Sequence, residues 1–274
     1  MKALVETTIF ANALLKASAE RKAAQATLAL YEETFGPVYA FKELKAGALM
    51  YFVWFHNKLV LNSFLDALRA LHACSRTPMR YRTSTGMEAL IAAFDEAEVP
   101  GEWIALYGPE AADASSIQKE RLRLSLKRRI IEGWGKRRTL TTHVVCDLAC
   151  YPETAVTETP NKTLEIEPIR CEVKGGCQLA RIMAQDRPSV ERLLAAVELA
   201  VKAAPQNTEH TKRAGALRKI LKSEGWRSFS DQDCKAIGDA AFAFLAPPDV
   251  TILTTNLKDI EPLAVALGKT AHRP

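Results

Sequence analysis

The chain has 274 residues, 48% of them hydrophobic and 25% charged, with a net charge of +5 and a pI near 8.8. This is the composition of an ordinary folded protein, which excludes disordered and collagen-like classes, and no apolar run reaches the length of a membrane-spanning helix. Glu6 and Asn12 interrupt any export-signal core behind Lys2, so a cytoplasmic location without membrane partners is expected.

In chain order, Ala3 to Val5 reads as a buried strand that runs into Glu6, Thr7 and Thr8. Residues 10–35, rich in Ala, Leu, Lys and Glu, predict one or two helices ended by Gly36 and Pro37. A short strand is expected at 38–41, and Glu43 opens the next helix through Leu44, Ala46 and Leu49. Leu59, Leu61, Phe64, Leu65, Leu68 and Leu71 recur at helical spacing within 57–73. Residues 86–97 predict another helix, stopped by Pro100, and 117–131 one that is strongly basic. Residues 139–187 are mixed. Ser189 reads as the cap of a helix through Ala204, 211–223 as a second basic helix, 225–230 as a loop, and 231–245 as one helix. Asp249 to Thr254 reads as a turn and a short buried strand carrying Val250, Ile252 and Leu253; no further strand is evident before Pro274.

Strand and helix at both ends, with a mostly helical middle, predict a three-layer α/β fold with a central parallel sheet. The two ends, 1–99 and 226–274, would form its core, and 100–225 a basic, largely helical insertion.

Polar groups at the carboxyl ends of parallel strands are site candidates, because ligands bind there in open α/β sheets. Glu6 follows the first strand; Thr255, Asn256 and Asp259 follow the last; Glu43 and Asp239 lie on helices between. Converging carboxylates repel one another unless a cation neutralises them. Mg²⁺ or Mn²⁺ takes oxygen ligands from carboxylates and can activate water against a phosphate ester.

The ordered segments LVETT, KELKAG, GDAAFAF and ILTTNLKD resemble those of the PIN domain family, the nuclease fold of toxin–antitoxin ribonucleases and of RNA-processing factors. The resemblance covers roughly the first third and the last sixth of the chain. It implies a metal-dependent nuclease with Glu6, Glu43, Asp239 and Asp259 as metal ligands. Asn256 would orient a carboxylate or the phosphate, with Thr7 or Thr255 assisting. It implies phosphodiester hydrolysis in single-stranded RNA, DNA remaining open, to a 5′-phosphate and a 3′-hydroxyl. An inhibitory partner protein, such as silences the toxin members, is also implied; a homodimer stays open. Glu6 stands where the family has Asp, Thr8 where it has Asn, and Asp231 and Asp233 are alternatives to Asp239 on the same segment. An inactive member acting as a nucleic-acid-binding or scaffold module is the alternative. A small-molecule phosphohydrolase explains the excess of basic charge less well.

Two further features stand outside that set. Cys146 and Cys150 are four residues apart and Cys171 and Cys177 six, a loose fit to a structural Zn²⁺ site, with His143 just before the first pair. Cys74 and Cys234 read as core thiols. Between Lys119 and Arg138, the residues Arg128, Arg129, Lys136, Arg137 and Arg138 surround Trp134, a pattern that can follow a phosphate backbone and stack a base. Lys212, Arg213, Arg218, Lys219 and Lys222 form a second basic face, and Arg80 and Arg82 flank Tyr81. A lone charge run is more often a solvated helix face.

Overall fold

A computed structural model describes residues 1–75, 83–84, 86–88, 90–91, 115–146, 148, 150–151, 155–167, 169 and 175–274. The expected helix over 86–97 lies mostly outside this set, and Arg80, Tyr81, Arg82 and Cys171 lie outside it.

β1 (Lys2–Val5) is the centre of a five-stranded sheet. It pairs on one side with β2 (Glu33–Pro37), which pairs with β3 (His143–Val145). On the other side it pairs with β6 (Thr251–Leu253), which pairs with β7 (Ala271–His272). Every pairing in this sheet is parallel. Ala3, Leu4 and Val5 are fully buried, as are Ile252 and Leu253. That is why both strands read as continuous apolar runs: a parallel strand covered on both faces has no solvent side. A separate two-stranded antiparallel hairpin joins β4 (Thr157–Glu158) to β5 (Leu164–Glu165).

Parallel neighbours need crossovers, and these are right-handed. Steps from β1 to β2 and on to β3 therefore place their helices on one face, and the oppositely directed step from β6 to β7 places its helix on the other. The first group, between β1 and β3, holds α1 (Thr7–Leu15), α2 (Ser18–Leu28), α3 (Val38–Leu44), α4 (Met50–Leu61), α5 (Phe64–Ser75) and α6 (Ser115–Lys136), with α3 also reaching the other group through Tyr39, whose ring lies 5.6 Å from that of Phe242. Here α1 packs on α2, α3 and α6, and α4 packs on α5 and α6. The second group holds α7 (Gln178–Gln185), α8 (Arg187–Ala203), α9 (Thr208–Leu221), α10 (Asp231–Ala236), α11 (Gly238–Leu245) and α12 (Leu257–Ala266). Within it, α8 packs on α9 and α12, and α11 on α12. The molecule is thus α/β, mostly helical, around a parallel sheet. β3 falls in the 100–225 stretch, so that stretch supplies a sheet edge as well as helices.

Several boundaries differ from expectation. The second strand runs over Glu33–Pro37, and Val38–Leu44, expected to begin as a strand, is helix α3. Gly36 serves close packing there and does not end a helix: a Cβ would lie 2.7 Å from Thr141 Oγ1 and 3.1 Å from the Phe10 ring. Pro37, at φ −68°, ends the strand and caps α3. Glu43 lies in the last turn of α3, ahead of a π-helical turn at Lys45–Leu49. The 57–73 helix is interrupted, because Asn62 is extended between α4 and α5. Asp186, not Ser189, caps α8, accepting from the Ser189 amide at 3.2 Å. The 231–245 helix divides at Ile237. The chain does form a last strand, β7, whose two residues are too few to leave a periodic signature.

Candidate functional site

The carboxyl ends of β1 and β6 are tied together by hydroxyls. Glu6 ends β1 as the N-cap of α1, accepting from the Thr8 amide at 3.1 Å and from Thr8 Oγ1. Thr254 Oγ1 donates to the same carboxylate oxygen at 3.2 Å. The Thr255 amide donates to Thr8 Oγ1 at 3.2 Å, and the Asn256 amide to Thr254 Oγ1 at 2.9 Å. Glu6 is 5% exposed, and burial, ahead of those hydrogen bonds, raises its pKa above the usual carboxylate range.

Glu43 reaches the same region from α3. Thr7 Oγ1 donates to Glu43 Oε2 at 2.6 Å. Gly238 lets α11 approach: a Cβ there would lie 2.8 Å from Glu43 Oε1 and 3.3 Å from the Tyr39 hydroxyl. Burial, with the nearby charges of Glu6 and Asp239, pushes the Glu43 pKa up to about 7. Tyr39 donates to the Cys234 carbonyl at 3.0 Å and is also hydrogen-bonded to Glu43. A phenol has one hydrogen. The Cys234 carbonyl and the Glu43 carboxylate therefore compete for it, and the share that Glu43 receives lowers its pKa against the effect of burial.

Asp239 opens α11, and Arg213 Nη2 pairs with its Oδ2. Arg213 Nε also donates to the Ala236 carbonyl at 3.3 Å. The Asn256 side chain hydrogen-bonds Asp239 and leaves α12, which Asn256 begins, without a side-chain cap. Burial raises the Asp239 pKa; Arg213 opposes the rise, and Asp259, in the first turn of α12, adds to it.

The structure therefore brings Glu6, Glu43, Asp239, Asp259 and Asn256 to one end of the sheet. Asp231 and Asp233 have other partners: Asp231, which borders the cavity beside Glu43, pairs with Lys235 at 2.6 Å, and Asp233 closes a capping box with Ser230 and pairs with Lys219 at 2.7 Å. Among the described residues no group of three or more His, Cys, Asp or Glu side chains is drawn together as a metal-ligand set. Each central carboxylate is instead held by a threonine hydroxyl or by Arg213. The donors nevertheless suit a hard divalent cation. They are carboxylate and hydroxyl oxygens, and the three central carboxylates have pKa values raised chiefly by burial and further by the charge of neighbouring carboxylates.

A cavity of about 210 Å³ adjoins Glu43 and is lined also by Tyr39, Lys42, Lys45 and Cys234. A larger one, about 790 Å³, lies between α4 and the β4–β5 hairpin and touches none of the cluster's carboxylates. Proximity to the titrating groups, not size, makes the smaller cavity part of the candidate site.

The basic stretch does not wall the site. Arg129 and Arg137 are buried, Arg129 donating to the Leu15 carbonyl at 3.3 Å. Trp134 is 3% exposed and stacks under Arg137, 4.0 Å away, so it offers no face to a base. Arg129 and Trp134 share the buried face of α6 with Leu122, Leu126 and Ile130, and Arg137 opens the 3-10 turn that follows. Arg128, Lys136 and Arg138 are exposed. They lie toward the far pole, because α6 passes the C-terminal end of α1 there and leads into the amino end of β3. Of the zinc candidates, Cys150 is buried and Cys146 and Cys177 half-buried; Cys171 lies outside the described residues.

Arg213, Thr254 and Tyr39 are site residues that sequence reading passed over. The signal for Arg213 was present: it falls on the face of α9 that buries Ala214, Ala216, Leu217 and Ile220. Comparison of the chain with protein-family models, with curated proteins and with solved structures finds no match. No helix among the described residues is long and apolar enough to cross a membrane.

Proposed function

We propose that this protein is a divalent-metal-dependent nuclease on a PIN-like fold, hydrolysing phosphodiester bonds in single-stranded RNA. The observation that carries the reading is the meeting of Glu6, Glu43 and Asp239 at the carboxyl ends of β1 and β6, where Glu6 and Asp239 each help to raise the Glu43 pKa. Acidic groups so concentrated are costly unless a cation or a proton joins them.

Glu6, Glu43, Asp239 and Asp259 would hold Mg²⁺ or Mn²⁺. A bound divalent ion would supply an activated water and offset the charge developing on a phosphate oxygen. The chain's own residues aim the ligands: Thr8 and Thr254 fix Glu6, Thr7 fixes Glu43, and Asn256 orients Asp239. In the reaction a water oxygen bonds to phosphorus and the bond to the 3′ oxygen breaks, leaving a 5′-phosphate and a 3′-hydroxyl.

The ion pair between Arg213 and Asp239 favours a second reading, a self-neutralised cluster in a non-catalytic nucleic-acid-binding or scaffold protein. End-labelled single-stranded RNA incubated with Mn²⁺, Mg²⁺ or EDTA, beside Asp239→Asn, separates the two. Metal-dependent cutting that is lost in a folded variant supports the nuclease. A folded wild-type chain that cuts none of several RNAs supports the second reading.

A further inference from the structure

Arg213 is the α9 cation that reaches the acidic cluster. Lys212 pairs with Glu209 at 2.8 Å and Arg218 with Glu198 at 2.7 Å, both pairs at the surface, and Lys219 pairs with Asp233 at 2.7 Å. Arg213 is 8% exposed, anchored by Nε on the last residue of α10 and by Nη2 on Asp239. A buried guanidinium is retained where its charge is matched, and the nearest charges here belong to the acidic cluster. Arg213 is paired with Asp239, while Glu6 and Glu43 are held by threonine hydroxyls. A divalent ion and Arg213 thus have reason to seek the same carboxylate.

We propose that Arg213 is an internal cation which occupies the Asp239 share of the metal site, so that a divalent ion binds there only in competition with it. This rests on the metal-site reading above. Without metal the guanidinium pairs with Asp239 and ties α9 to the start of α11; with metal, the Arg213–Asp239 pair loosens. Arg213 acts through Asp239 and is a positioning residue.

The test is Mn²⁺ binding by the full-length chain, measured by calorimetry and by loss of the free-Mn²⁺ electron paramagnetic resonance signal. It compares wild type with Arg213→Met, which keeps the stem, and Arg213→Lys, which keeps the charge. Arg213→Met is expected to bind Mn²⁺ at least 10-fold more tightly than wild type, and Arg213→Lys to stay within about 3-fold of it. Binding by Arg213→Met alone also supports the proposal. Equal or weaker binding by Arg213→Met overturns it while leaving the metal site standing. Absence of binding in every form overturns both. Should Arg213→Met fail to fold by circular dichroism, the Arg213 side-chain Nε–H resonance of the wild type decides. The proposal requires it to shift on Mg²⁺ addition, and an unmoved resonance overturns it.

Discussion

Thr254 Oγ1 donates to Glu6 Oε2 at 3.2 Å across a sequence separation of 248 residues. Glu6 is at once the cap of α1 and a member of the acidic cluster, so one carboxylate couples helix initiation to site geometry. Glu6→Ala is expected to lower unfolding free energy by about 2 kcal/mol, through loss of the cap and of the Thr254 acceptor. Glu6→Gln keeps an acceptor and should lose less. Urea denaturation measures both, and equal stabilities for the two variants would contradict the coupling.

Glu43 sets a pH dependence with a definite sign. Its folded pKa, about 7, lies above the ordinary 4.5, so between those values the folded state binds more protons than the unfolded. Its stability contribution is full below pH 4.5 and is lost as pH rises through 7, by at most about 3 kcal/mol. Unfolding free energy measured across this window should fall with pH in the metal-free chain. The slope should be smaller in Glu43→Gln and with saturating Mg²⁺. An unchanged slope in Glu43→Gln would show that the carboxyl does not titrate there.

Gly238 holds open the space for Glu43. A methyl at 238 would press on Glu43 Oε1, the far end of a side chain that can swing away. Gly238→Ala is therefore expected to cost under about 1 kcal/mol of stability, while cutting RNA cleavage at least 10-fold by displacing Glu43. Thermal unfolding beside the cleavage assay checks this; a large stability loss with unaltered specific activity would reverse the assignment.

The basic stretch of α6 and the turn after it divides into an exposed and a buried part with different expected outcomes. Replacing Arg128, Lys136 and Arg138 together by Ala should leave cleavage of a short oligonucleotide within about 2-fold, since those side chains sit away from the carboxylates. Trp134→Ala should instead destabilise the fold by about 3–5 kcal/mol, as loss of a buried aromatic does. A strong cleavage defect in the triple variant would place the substrate path over α6.

Sequence made the central strands and the strand-end acids legible for one reason. β1 and β6 are short buried apolar runs, each followed at once by polar residues, and that transition marks both the strand and its site end. β7 was invisible because two residues carry no period. The course of α3 was hidden because Gly36 and Pro37, usual helix terminators, here serve a crowded strand. Within the basic stretch composition hid burial: Arg129 and Arg137 are as charged as Arg128, but both are buried, Arg137 against Trp134. Arg213 was missed for the same reason, counted with its charged neighbours when its phase placed it among the apolar ones.

The order of the strands also bears on synthesis. β1 emerges first, yet its partner β6 and the last of the clustered acids, Asp259, emerge only after residue 250. A nascent chain short of that point holds Glu6 and Glu43 but neither Asp259 nor the strand that aligns it with them. Contacts of such long sequence separation close late and slowly. Whatever chemistry the cluster performs is thus withheld during translation until the segment carrying β6 and Asp259 has been made.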